Sequence, residues 1–122
     1  MRKANGGGLR LRVVLRHGAA LGPGKIDLLE AIAETGSIRA AGSRFKMSYR
    51  RAWGLVAELN GMFKTPLVVA ETGGRGGGGA RLTALGQTVV ERFRRMEANS
   101  WSAVERDFRV LSKALAKETP GS

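Results

Sequence analysis

At 122 residues, with 43% of them apolar, the chain is one ordinary domain with a modest core and too short for two complete ones. Lys and Arg number 21 against 10 acidic residues, and the resulting net charge of +11 implies a polyanionic partner: nucleic acid first, an anionic membrane surface second, a ribosome-like assembly third. The absence of cysteine excludes disulfide frameworks and thiolate metal sites. No stretch approaches a transmembrane helix, and the basic start MRKANGGGLR lacks the apolar region of a secretory signal, so a cytoplasmic protein is expected, with no membrane partner.

Residues 1–8 read as a loose basic arm. Leu9, Leu11, Val13 and Leu15 then alternate with Arg10, Arg12 and Arg16, the period-two pattern of a half-buried strand. HGAALGPGK has the composition of a loop, and Pro23 sits where helices begin. From Lys25 to Glu34 the pattern is helical, with Leu28, Leu29, Ile32 and Ala33 as one stripe and Thr35-Gly36 as the stop. Ser37 is an N-cap for a second, short helix with Ile38, Ala41 and Phe45 inward. Lys46-Met47 reads as a tight turn with Met47 inward, and Ser48 caps a third helix reaching about Phe63, whose buried side is Ala52, Leu55, Val56, Leu59, Met62 and Phe63. Leu67-Val68-Val69 is a short strand, Ala80-Arg81-Leu82 a returning one, and Thr83 caps a last, long helix. Along it Leu85, Val89, Phe93, Met96, Trp101, Val104, Phe108, Leu111 and Leu115 continue one apolar stripe. A helix over 84–117 would be a rod of roughly 50 Å, longer than this domain can cover. The stripe is therefore expected to be a dimer interface, followed by a tail at 118–122.

The middle of this order is a helix-turn-helix: two capped helices joined by Lys46-Met47, after a longer packing helix. In such a unit the second helix enters the DNA major groove with its first turn, while the first crosses the backbone. Between Ser37 and Arg51 stand Arg39, Arg44, Lys46, Arg50 and Arg51, with no acid among them. Arg50 and Arg51 can bond a guanine edge bidentately, and the Ser37, Ser48 and Tyr49 hydroxyls suit phosphate oxygens.

The stretch TGGRGGGGAR, 72–81, places six glycines in positions 73–79 around Arg75. Lying between two short strands just after the second of the paired helices, it reads as the wing of a winged helix-turn-helix, with Arg75 at its tip and Arg81 at its base on the sugar-phosphate chain. The competing reading is a nucleotide-binding enzyme, since Gly74, Gly76 and Gly79 spell GxGxxG. That fingerprint needs a helix opening at once, and here Ala80-Arg81-Leu82 intervenes. No GK[ST] follows a glycine cluster either. His17 is the only histidine and reads as a surface residue, Asp27 and Glu30 as exposed acids, Trp53 and Trp101 as core or interface anchors. No catalytic constellation, metal site or cofactor site emerges, and the chain is not expected to be an enzyme.

LLEAIAETGSIRAAGSRFKMSYRRAWGLVAELNGMF, followed by PLV, TGGRGGGGARLTALG and a long helix, resembles the DNA-binding domain of the ModE-type molybdate-responsive regulators and, more distantly, the LysR-type winged helix. The resemblance runs from about Leu9 to Met96. It implies a mainly α fold with a small β wing over 9–83, a long dimerisation helix, and a homodimeric regulator of transcription on a palindromic double-stranded operator. By position, Ser48, Tyr49, Arg50 and Arg51 would contact the groove and Arg75 and Arg81 the flanking backbone. Two departures stand out: Lys46 holds a turn position where the family usually has glycine, and Gly42 replaces a helix-favouring alanine at about 1 kcal/mol. The family's oxyanion-binding repeats follow the long helix, so no molybdate site is expected in this chain. A nonspecific architectural or RNA-associated basic protein is the alternative that shares the charge without needing a capped recognition helix.

Overall fold

The structure, a computed structural model, describes residues 7–71 and 79–118. The glycine run at 72–78, with Arg75, lies outside them.

The chain opens with a hairpin of β1 (Val13–Arg16) and β2 (Ala19–Leu21), paired antiparallel with Val13 opposite Leu21 and Val14 opposite Ala20. Two expectations change here. Ala19–Leu21 is a strand rather than loop, with Ala19 and Leu21 buried; Gly18, at φ +79°, lets the chain reverse after His17. The alternation of Leu9 to Val13 fails at Leu15, because a register shift between Val14 and Arg16 turns that leucine outward, 53% exposed. His17 is exposed in the turn.

Helix α1 (Pro23–Thr35) begins with Pro at its first position, where a missing N–H costs nothing. It stops at Gly36, whose φ of +70° turns its N–H back to the Ile32 carbonyl at 2.8 Å. Its buried side is Ile26, Leu28, Leu29, Ala31 and Ile32; Ala33, placed on that side by the sequence pattern, is exposed. Helices α2 (Ile38–Arg44) and α3 (Tyr49–Met62) complete the three-helix unit, and Ala41, Ala52, Val56 and Leu59 are buried between them and α1.

Strands β3 (Val68–Glu71) and β4 (Gly79–Leu82) form the second antiparallel pair, with Val68 opposite Leu82 and Glu71 opposite Gly79. Its base is tied down on three sides. Ala80 N–H donates to the Gly36 carbonyl at 2.9 Å. The Asn60 side chain imitates a strand edge: its Oδ1 accepts from Leu67 N (2.8 Å) and Val68 N (3.1 Å), and its Nδ2 donates to the Val68 carbonyl. Thr83 donates through Oγ1 to the Pro66 carbonyl and through N–H to that of Leu67. Asn60→Ala, which leaves the Leu67 and Val68 N–H groups without acceptors, is expected to lower unfolding stability by about 2 kcal/mol in a urea titration.

Helix α4 (Ala84–Lys113) is capped by Thr83, which accepts from Gly86 N at 3.0 Å, and at 30 residues is about 45 Å long. It ends at Lys113, four residues before the expected boundary, so Leu115 lies beyond it. Its first half belongs to the domain. Phe93 is fully buried and Val89 nearly so in the core shared with α1 and β4, so this chain's own core already covers both; Leu85 and Met96 pack partly on the same core. The seam between α1 and α4 is ionic. Arg94 bonds Asp27 (2.7 Å), Glu30 (2.6 Å) and Glu97 (2.8 Å), and Glu97 is buried with only 9% of its side chain exposed. The hydrogen bond with Glu30, helped by those with Glu97 and Asp27, outweighs partial desolvation and holds the guanidinium above the ordinary arginine range. Asp27 and Glu30 are therefore half-buried partners rather than free surface acids.

Candidate nucleic-acid interface

Both paired helices start on serine. Ser37 Oγ accepts from Ala40 N at 3.0 Å and Ser48 Oγ from Arg51 N at 3.1 Å. Each hydroxyl is committed as an acceptor, so its proton remains free to donate to an anion. Between the helices, the Phe45 and Met47 N–H groups both bond the Gly42 carbonyl at 3.0 Å. Lys46 takes φ +57°, the left-handed region that a side chain disfavours. Lys46→Gly should thus raise stability by about 1 kcal/mol, read as a higher urea midpoint. If Lys46 meets a phosphate, the same variant lowers the salt slope of DNA binding by about one.

Gly42 turns out to do more than weaken a helix. A Cβ there would lie 2.9 Å from Ala52 Cβ and 3.3 Å from Met47 Cγ, so its absence is what lets α2 cross α3 so closely. Phe45, expected inside, is 40% exposed at the end of α2, and Met47 takes the inward place.

The opening of α3 projects outward. Ser48, Tyr49, Arg50 and Arg51 are all exposed, as are Arg39, Arg44 and Lys46, while Ser37 is half-buried. Arg44 is paired with Glu34, and Arg81 with Glu71 across the β3–β4 pair at 3.4 Å. Both side chains of that second pair are 57% exposed, so it is worth under ~1 kcal/mol. Arg50 and Arg51 line a shallow cleft with Ser48 and Gly54 along the crest of α3.

Both flanks of α3 add to this face. On one side Arg51 shares a cleft with Arg10, Arg12 and Lys25 from the hairpin and the start of α1. On the other, Arg39, Tyr49 and Trp53 face the base of the β3–β4 pair across a second cleft. The Arg39 guanidinium lies over the Tyr49 ring at 4.4 Å, and Tyr49 meets Trp53 edge-on at 6.2 Å between centroids. Trp53, expected as a core or interface anchor, is 45% exposed. Sequence reasoning does not assign Arg10 and Arg12 to this face, because their place beside α3 depends on the hairpin. Trp53 is legible: with Ala52, Val56 and Leu59 inward, 100° per residue puts position 53 next to Tyr49, outside.

The far half of α4 carries the rest of the stripe. From Ala98 to Lys113 no residue is buried. Trp101, Val104 and Phe108 are half-buried, with the Trp101 and Phe108 rings edge-on at 5.0 Å, and Leu111 and Leu115 are 70% and 77% exposed. No helix among the described residues is long and apolar enough to cross a membrane.

This geometry agrees with what the chain is similar to. Residues 24–87, from the second residue of α1 into the start of α4, match the bacterial regulatory helix-turn-helix protein, lysR family. The chain is 40% identical over 104 residues to the molybdenum transport protein ModE of Azotobacter vinelandii, a match covering 85% of this chain and 37% of that one. It is 41% identical over 86 residues to the molybdenum-pterin-binding protein MopB of Rhodobacter capsulatus, covering 70% and 32%. Against the DNA-binding transcriptional dual regulator ModE of Escherichia coli (strain K12) it is 41% identical over 71 residues, covering 58% and 27%. The chain thus spans about a third of the length of these relatives. It belongs to the lysR family of bacterial regulatory helix-turn-helix proteins, a class of DNA-binding transcription regulators, and is homologous there to the ModE and Mop proteins.

Proposed function

We propose that the protein is a sequence-specific regulator of transcription that binds double-stranded DNA as a homodimer. The opening of α3 lies in the major groove, with Arg50 and Arg51 on base edges and Ser48 and Tyr49 at the groove wall. Ser37, Arg39 and Lys46 hold the backbone on one side, Arg81 and the glycine wing with Arg75 on the flanking strand. The observation that carries this is the exposed, capped start of α3, set in a stretch of five cations and no acid between Ser37 and Arg51.

The dimer rests on the far half of α4. Trp101, Val104, Phe108 and Leu111 recur at helical spacing where the chain's own core does not reach, and a two-fold pairing would cover them and set two α3 helices on successive half-sites of a palindrome. Sedimentation at low micromolar concentration should give a dimer; a clean monomer removes the palindrome from the proposal.

The functional test is selection of duplexes from the source genome, followed by titration against random DNA near physiological salt. Selected sites should bind at least ~10³ more tightly than random ones. Equal affinity for both would instead favour an architectural role for the +11 charge.

A further inference from the structure

Tyr49 and Trp53 are 43% and 45% exposed on the same face of α3, one turn apart. Half-exposed aromatic rings forgo part of the burial that a core would give them unless something covers them. Their surroundings define what fits. Among the described residues, the rings share a cleft of about 390 Å³ with Ser37 and Ile38 and with the small residues Ala70, Gly79 and Ala80 at the base of the β3–β4 pair. Arg39 brings a positive charge 4.4 Å from the Tyr49 ring. Gly79 cannot be larger, since a Cβ there would lie 2.8 Å from the Gly36 carbonyl. Among the described residues, one wall is thus aromatic, the other carries only small side chains, and a cation stands beside them.

We propose that this cleft seats one sugar-phosphate strand of the duplex, a deoxyribose packed on the Trp53 and Tyr49 rings and the adjoining phosphate held by Arg39 and the Ser37 hydroxyl. The inference rests on the DNA-binding reading and adds to it a subsite between recognition helix and wing. The aromatic wall and the adjoining cation suit a backbone sugar and its phosphate, which every duplex presents alike. The contact is therefore independent of sequence, and sets how deeply α3 enters the groove.

The test uses full-length protein labelled with 5-fluorotryptophan. The chain has two tryptophans, so two fluorine resonances are expected, assigned by Trp53→Phe. On saturation with either selected or random duplex, the Trp53 resonance should lose its solvent-isotope shift. Trp53→Ala should weaken binding to both duplexes by about tenfold, with its thermal unfolding little changed. A scan of single methylphosphonate linkages should find one position that costs wild-type affinity but costs nothing further in Arg39→Ala. A Trp53 resonance that stays solvent-exposed on saturated duplex overturns the subsite while leaving DNA binding intact. A Trp53→Ala loss confined to the selected duplex overturns it in favour of base reading by Trp53. Failure to bind any duplex overturns the DNA-binding reading, and the subsite with it.

Discussion

Gly86→Ala is expected to cost about 3 kcal/mol of stability, although the same change in an open helix position gains up to about 1 kcal/mol. The added Cβ would lie 2.3 Å from the Leu67 carbonyl oxygen and 3.2 Å from its carbon. Neither side can give way. Leu67 is held through its N–H by Asn60, its oxygen accepts from Thr83 N at 2.9 Å, and Leu67 itself is fully buried. On the other side Gly86 N is fastened to Thr83 Oγ1. Relief therefore means parting α4 from the Leu67 peptide just before β3, which opens the core around Val89 and loosens the base of the wing. Gly54→Ala is the control: nothing lies within 4 Å of its added Cβ, on an exposed face of α3, and its urea midpoint should be equal to or above wild type. A Gly86→Ala midpoint matching that of Gly54→Ala would show that the approach of α4 to Leu67 is looser than these distances imply.

The second large effect is at Arg94. Arg94→Met keeps much of the aliphatic stem but leaves Asp27, Glu30 and Glu97 facing one another, with Glu97 buried. A fully buried charge losing its partner costs about 3–5 kcal/mol; Arg94 is 32% exposed, so solvent screening brings the expectation to about 2 kcal/mol. Lys at this position retains the charge but not the planar fork that reaches three carboxylates, and should fall between wild type and Met. Salt provides the discriminating readout. Repulsion among the abandoned acids is screened as ionic strength rises, so the deficit of Arg94→Met should shrink between low salt and roughly 0.5 M. A deficit unaffected by salt would mean that lost packing, not charge, joins α1 to α4.

A feature is legible in the sequence to the extent that its cause is local. Pro23, Gly36, Ser37, Ser48 and Thr83 act within a few residues of themselves, and each bounds a helix where the sequence pattern predicts. Ala19–Leu21 is hidden because alanine has little strand preference, and the segment becomes a strand only by pairing with Val13–Arg16. The Arg94 cluster joins residues 64 and 67 positions apart, which no periodicity reports. Gly42 reads as a defect because the reason for it, Ala52, sits on another helix. The stripe of α4 is visible throughout, but its spacing is the same on both sides of the point where the domain's own core ends. Only the fold separates Val89 and Phe93, which are core, from Trp101, Phe108 and Leu111, which are not. In the candidate interface the exposed cations at the start of α3 are legible, as is Trp53 from helix geometry, whereas Arg10 and Arg12 require the fold.

Sequence reading by α3 is decided by comparing Arg50→Ala with wild type on two duplexes, the best genome-selected site and a random sequence of equal length, at one salt concentration. With Arg50 on a base edge, the variant should lose about 1–3 kcal/mol on the selected site and much less on the random one, so that most of the loss is in discrimination. Equal losses on both duplexes would contradict the account, since α3 would then be touching phosphates alone and the opening of that helix would not read sequence.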